Sequence, residues 1–298
     1  MEHLVLGLVL FAGTLAPGNP LKDLGPIKQI RLDMAPTSFD DQYRGCGHQM
    51  DKELGKLHQM ELTKNSIYAK YWPLAADKWQ KRAAYVPRPP ALRAEHATAL
   101  LAYTMPGGLY QTFNAAMRKA GSSHKEYLYK FHFKTLHYLL TQALKILWHA
   151  QPNCYHVYRG VRGIRFTAQL HDFVRFGQFT STSFVKKTAA QFGQDTFFSV
   201  YTCYGVPIRH FSFFPNEEEV LIPPYERFMV ANIAYYWTGT HIVLQSRGIY
   251  SKYNCEWLKG EIPRDGPSVT SPVTVPPFPL HSPGLVLPSP RMVPPSPG

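Results

Sequence analysis

The chain changes its hydrophobic period at Pro152, and whatever it folds into has to satisfy both halves. From about Asp51 to Ala150 the apolar residues recur at helical steps. Over Glu126 to His149, Leu128, Phe131, Leu136, Leu139, Leu140, Ala143 and Leu147 return mainly every three or four residues, the stripe of one amphipathic helix. Further helices are expected at about Leu92 to Tyr103 and at about Leu109 to Ala120, the latter stopped by Gly121. Past Pro152 come short runs rich in Val, Phe, Tyr and Thr, separated by Gly, Pro and Asn: "CYHVYRGV", "FTSTSF", "TFFSVYTC", "VLIPP" and "HIVLQS". Such runs read as strands. Helices grouped before strands make an α+β fold, helical over about 40–150 and β-rich over about 151–260.

The ends of the chain read differently from its middle. Leu4 to Leu15 form an apolar segment followed by small residues, and Ala16 and Gly18 are both acceptable cleavage positions. Residues 1–18 therefore read as a secretory signal peptide, the alternative being a buried N-terminal helix. Residues 261–298 are dense in proline and nearly free of charge, an extended appendage rather than part of a core. The intervening 19–260 is expected to be a single domain, and 45% hydrophobic with 14% aromatic content in the 298 residues supplies a sizeable core. No other stretch of roughly 18 apolar residues exists, so no transmembrane helix is expected. A glycolipid anchor signal needs an apolar C-terminal run of about 10 to 20 residues. Proline breaks "LHSPGLVLPSPRMVPPSPG" repeatedly, so a released, extracellular or granule-luminal protein is expected over an anchored one.

Four cysteines, Cys46, Cys154, Cys203 and Cys255, lie far apart without a CxxC pair. In an oxidising compartment they are expected to form two disulfides, and three pairings are open. The formal net charge of +12 favours anionic partners without choosing among them. Thirteen histidines are scattered with no H-E-x-x-H, so no metal is expected. No G-x-G-x-x-G follows a strand, which excludes a Rossmann nucleotide site.

Three short stretches of the β half carry chemistry. In "FFPNEEEVLIPP" three acids abut an apolar run that Pro223 and Pro224 end. If the strand begins at Glu217, alternation puts Glu217 and Glu219 on one face, about 6 to 7 Å apart, and Glu218 on the other. A solvated acidic loop is the alternative. In "HVYRGVRG", Arg159 interrupts a strand-like run and needs an anionic partner, either a structural ion pair or a ligand, while Gly160 would let a ligand approach the backbone. In "QFTSTSF", Ser181, Thr182 and Ser183 set hydroxyls on both faces of a strand, which an exposed polar strand would also do. Phe211, Phe213 and Phe214 precede the acids, as an acceptor-recognition loop or as core.

The order of these stretches, arginine, then Ser-Thr-Ser, then Glu-x-Glu after a helical half, resembles the signature of ADP-ribosyltransferases. From about Leu32 to Leu258 the chain resembles the vertebrate arginine-specific ecto-ADP-ribosyltransferases, through "LDMAPTSFDDQYRGC", "VYRG", "FTSTS" and "EEEVLIPPYE". The resemblance implies an α+β fold whose β half is two roughly perpendicular sheets enclosing an NAD cleft. It implies NAD or NADP as co-substrate and arginine-containing proteins or small guanidines as acceptors. Arg159 would support the NAD site, Gly160 would offer backbone contacts to the nicotinamide amide, Ser181 would orient the catalytic Glu219, and Glu217 would face the incoming guanidinium. The implied disulfides are Cys46 with Cys255 and Cys154 with Cys203. A monomer is expected.

Elementary chemistry agrees with two carboxylates. Nicotinamide leaves as a neutral molecule, so what needs stabilising is positive charge on the ribose, and a fixed carboxylate in a partly closed site does that. The acceptor guanidinium is protonated and weakly nucleophilic, and a second carboxylate can bind, orient and deprotonate it. The alternatives are an NAD glycohydrolase, with water as acceptor, and a catalytically silent secreted binding protein.

Overall fold

A computed structural model describes residues 26–260. The expected signal peptide (1–18) and proline-rich tail (261–298) lie outside the described residues. A short strand, β1 (Lys28–Arg31), is followed by six helices: α1 (Gly47–Lys64), α2 (Ser66–Arg82), α3 (Ala94–Thr104), α4 (Leu109–Ala120), α5 (His124–Lys130) and α6 (Lys134–Ala150). Then come β2 (Tyr155–Val161), β3 (Ile164–Thr167), β4 (Phe173–Val174), β5 (Thr180–Ser183), α7 (Lys186–Gln191), β6 (Thr196–Thr202), β7 (Val206–Pro207), β8 (Glu219–Ile222), β9 (Glu226–Tyr236) and β10 (Gly239–Ile249).

Sequence periodicity places α3 and α4 within two residues, but the single helix expected over Glu126 to His149 is two. Its stripe is interrupted because Phe131 and Phe133 both turn into the core, and because Glu61 of α1 caps a new start. The buried Glu61 carboxylate accepts from the backbone N–H of Lys134 (2.5 Å) and of Thr135 (2.9 Å). These are donors that the first turn of a helix cannot satisfy internally, and a negative group there also complements the helix dipole.

The main sheet has eight strands in the order β4-β9-β10-β6-β2-β5-β8-β7, and β1 pairs with β3 separately. Hydrogen bonding is continuous but very uneven. β2 pairs with β6 along all seven of its residues, yet with β5 only through Tyr158 and Ser183. The sheet therefore has a narrow waist, and beyond Tyr158 the β5 side of β2 has no strand partner among the described residues. One core, with Phe39, Tyr127, Phe131, Leu136 and Phe179, joins the helices to the β5-β8-β7 part. A second, with Val157, Phe198, Phe228 and Ile242, lies on the β4-to-β2 part and extends to β8 through Val220 and Ile222.

Two disulfides are present, Cys46 with Cys255 and Cys154 with Cys203. The first joins residues 209 positions apart and is reinforced by the acids of "SFDDQYRGC". Asp40, fully buried, pairs with Arg175 (2.5 Å) and accepts from the N–H of Lys252 and Tyr253. Asp41 accepts from the N–H of Tyr43, Cys255 and Glu256. Desolvation pushes the Asp41 carboxyl up to about 6 despite those bonds. This motif clasps the end of the domain to its beginning.

Candidate active site

The waist of the sheet gathers the candidate residues. Glu219 opens β8 and stands opposite Ser183 of β5, while Ser181 is paired with Leu221. Its carboxylate is 5% exposed, and burial pushes it up to about 7. Hydrogen bonds from the Ser181 and Ser212 hydroxyls act against that rise, the neighbouring Glu217 charge adds to it, and the Arg159 cation lowers it. The Ser212 contact is 2.9 Å, from Oγ to Oε2. Arg159 reaches from β2 across the waist and donates to the carbonyl of Ser181 at 2.6 Å. Helices close the site from behind: the buried Tyr103 phenol of α3 donates to the Phe179 carbonyl (2.7 Å) and is held by Asn114 of α4 (3.1 Å). The Arg159 and Glu219 charges both act on that phenol.

The acids are separated by a turn and not by strand alternation, which corrects the sequence reading. Pro215 to Glu217 form a 3-10 turn, Glu218 is left-handed (φ 47°), and the strand begins only at Glu219. Pro215 suits the first position of such a turn, since its fixed φ is helical and the missing N–H is not needed there. Ser183 Oγ donates to the Glu217 carbonyl (2.6 Å), fixing the turn against β5. The left-handed residue costs about 1–2 kcal/mol. Two contacts of Glu218 offset this: its carboxylate pairs with Arg209 at 2.9 Å, and its carbonyl accepts from Phe184 N–H at 3.1 Å. Glu217 is half-buried, and burial raises its carboxyl.

Two further expectations are modified. Arg159 has no carboxylate at ion-pair distance among the described residues; its partner is a carbonyl, which leaves most of the guanidinium fork free for an anionic ligand. Gly160 is required by packing: a Cβ there would lie 2.3 Å from the carbonyl oxygens of both Ala189 and Gly193. The glycine therefore seats α7 against β2, and only its backbone edge faces the gap in the sheet. Of the three phenylalanines, Phe211 is core, packed near Trp79 (ring centroids 5.9 Å), while Phe214 is 40% exposed at the rim.

Ser212, Tyr103 and Asn114 went unnoticed in the sequence. "FSFFPN" offers one hint for Ser212, a lone hydroxyl among aromatic residues a few positions before the acids. For Tyr103 and Asn114 no local signal exists, since tertiary packing brings them in. Among the described residues no three His, Cys, Asp or Glu side chains converge as a metal site would require.

Residues 32–252 match the family described as NAD:arginine ADP-ribosyltransferase. The chain is 56% identical over 272 residues to NAD(P)(+)–arginine ADP-ribosyltransferase 2 of Gallus gallus, covering 89% of this chain and 86% of the relative. To the GPI-linked NAD(P)(+)–arginine ADP-ribosyltransferase 1 of Homo sapiens it is 45% identical over 284 residues, covering 90% and 86%. Among solved structures it resembles the eucaryotic mono-ADP-ribosyltransferase ART2.2, with a TM-score of 0.68 and 38% identity, covering 76% of this chain and 98% of that one. A mutant of the same enzyme in complex with NADH superposes with a TM-score of 0.67 and 38% identity over the same shares.

Proposed function

The chain belongs to the NAD:arginine ADP-ribosyltransferase family, and from that premise we propose that the waist between β2 and β8 moves ADP-ribose from NAD to an arginine guanidinium. One observation carries the assignment: a buried carboxylate, Glu219, is held by the Ser212 hydroxyl at 2.9 Å, with Ser181 and the under-partnered Arg159 cation beside it. The residues fit NAD as substrate. Arg159 offers free donors to an anionic group of the dinucleotide, and the backbone edge of Gly160 faces the gap.

In the proposed reaction the bond between ribose and the nicotinamide nitrogen breaks, and its electron pair leaves with neutral nicotinamide. Glu219, ionised and fixed, faces the positive charge left on the ribose. Its hydroxyl partners are already oriented, so little reorganisation accompanies the charge change. The guanidinium, bound by Glu217 across the turn, forms the new bond to the ribose carbon and gives up one proton to that carboxylate. A carboxyl lifted by burial, as Glu217 is, is better suited to accept that proton than one in water.

The test is incubation with NAD labelled in its ADP-ribose part, with and without agmatine, following nicotinamide and the labelled adduct. Adduct formation supports transfer to arginine. Label found only as free ADP-ribose would establish the glycohydrolase instead, and no nicotinamide release would leave a silent binding protein.

We further place the enzyme outside the cell. Two disulfides suit an oxidising compartment, and among the described residues no helix is long and apolar enough to cross a membrane. We keep a released monomer as the proposal; surface signal on expressing cells that phospholipase C removes would overturn release, and sedimentation would report a dimer.

A further inference from the structure

Glu218 has no place in the reaction, yet it occupies the strained position between the two acids that do. Its side chain leaves the cleft and reaches a separate groove of ≈ 420 Å³. One wall comes from the end of α6 and the start of β2, with Leu147, Trp148 and Tyr155; the other from Val206, Pro207 and Phe211. Pro87, Pro89, Arg209 and Glu218 also line it, the last two as an ion pair at 2.9 Å. The walls are held firmly. Trp148 donates from its indole to the Cys203 carbonyl (2.8 Å) and stacks on Tyr204 (5.6 Å, 16°). Cys203 is itself fixed by its disulfide to Cys154.

The groove is continuous with the catalytic strand. Pro207 and Val206 pair with Val220 and Leu221, the residues directly after Glu219, and the N–H of Ile208 donates to the carbonyl of Glu219 itself (3.0 Å). One rim of the groove and the strand bearing the catalytic carboxylate are thus a single hydrogen-bonded unit. Glu218, the residue after Glu217, lines the groove, so the groove lies close enough to the acceptor carboxylate for residues flanking a bound arginine, but not a free guanidine, to enter it.

We propose that this groove is a docking site for a protein acceptor, taking apolar side chains that flank the target arginine while the Arg209–Glu218 pair faces polar backbone at the rim. The proposal rests on transfer to arginine as argued above. Small guanidines and protein acceptors then share the chemistry and differ in what the groove adds. Seating apolar side chains in such a groove lowers KM by about tenfold or more, leaving the chemical step alone.

The experiment compares three acceptors: agmatine, a short single-arginine peptide flanked by Val, Leu and Pro, and the same peptide flanked by Gly and Ser. Each is assayed with the unaltered enzyme and with Pro87→Glu, Ala150→Glu, whose positions are exposed, so the fold is kept. The expected result is a KM about tenfold lower for the apolar peptide with the unaltered enzyme. That advantage is lost in the variant, with unchanged kcat/KM for agmatine and an unchanged Tm. Equal KM values for the two peptides, or an advantage that survives the variant, would overturn the groove's role while agmatine transfer still stands. Absence of transfer to agmatine itself would overturn the underlying activity, and the docking site with it.

Discussion

Ser212 Oγ donates to Glu219 Oε2 at 2.9 Å and accepts from the backbone N–H of Phe214 at 3.1 Å. A serine hydroxyl has one proton, so a backbone donor on the oxygen leaves that proton directed at the carboxylate. The segment is held in turn by Arg82, which donates to the carbonyls of His210 and Ser212, and by Thr104, which accepts from Phe213 N–H. If Glu219 acts as proposed, Ser212 is a positioning residue whose orientation is decided before substrate arrives.

Replacing it exposes that role through pH. A hydrogen bond to a charged group contributes about 1.5–3 kcal/mol, and one pH unit corresponds to about 1.4 kcal/mol. In Ser212→Ala the acid limb of kcat/KM moves up by about one to two units from the value near 7 expected for Glu219, with activity recovering at higher pH. Ser212→Thr, which keeps the hydroxyl, restores the profile. A pH-independent loss would show instead a purely structural serine.

The same carboxylate links activity to stability with opposite signs. In the proposed reaction activity needs Glu219 ionised, so it is expected to rise as pH passes through about 7. Stability runs the other way: the folded state holds a proton up to about 7 that the unfolded chain releases near 4.5, so the contribution falls as pH rises between those values. Glu219→Gln abolishes nicotinamide release. It also raises Tm at pH 8 by several degrees relative to the unaltered protein, on the order of 3 kcal/mol, with little difference at pH 4. Thermal scans at the two pH values check the sign.

The role proposed for Glu217 predicts that its loss separates the two half-reactions. In Glu217→Ala the transfer to agmatine falls by roughly a hundredfold or more, whereas NAD hydrolysis continues, since Glu219 and its hydroxyl partners are untouched. Losing the Glu217 charge also lowers the Glu219 carboxyl, because that charge is one of the causes holding it up. The acid limb of residual hydrolysis therefore moves to lower pH. Unchanged agmatine transfer would remove Glu217 from the acceptor site.

What the sequence disclosed and what it withheld follow from the range of the interactions. Helices α3 and α4 were legible because their periodicity and stops are local. The break before α6 was not, since the cap that causes it comes from Glu61 across the helical half. The pairing of Glu217 with Glu219 was read from strand alternation, which the protein does not use: a left-handed Glu218 does the separating, held there by Arg209 and Phe184. Arg159 drew notice as a charge in a strand, whereas its carbonyl partner on Ser181 becomes visible only once β2 and β5 meet.

Gly160 gives a test of what the arginine-glycine pair is for. Alanine there places Cβ 2.3 Å from two backbone oxygens, Ala189 and Gly193, neither of which can rotate away. Either α7 shifts or β2 bends, and overpacking of this kind costs about 1–3 kcal/mol. Both responses disturb the edge of β2 next to Arg159, so Gly160→Ala is expected to lower Tm and to raise KM for NAD together. Gly55 is the contrasting position, exposed in α1 with nothing within 4 Å of an added methyl group. Gly55→Ala removes backbone freedom from a helix and is expected to stabilise by about 0.5–1 kcal/mol, leaving KM unchanged. If Gly160→Ala keeps full stability and loses only NAD affinity, direct contact with the nicotinamide, and not the seating of α7, is what requires a glycine.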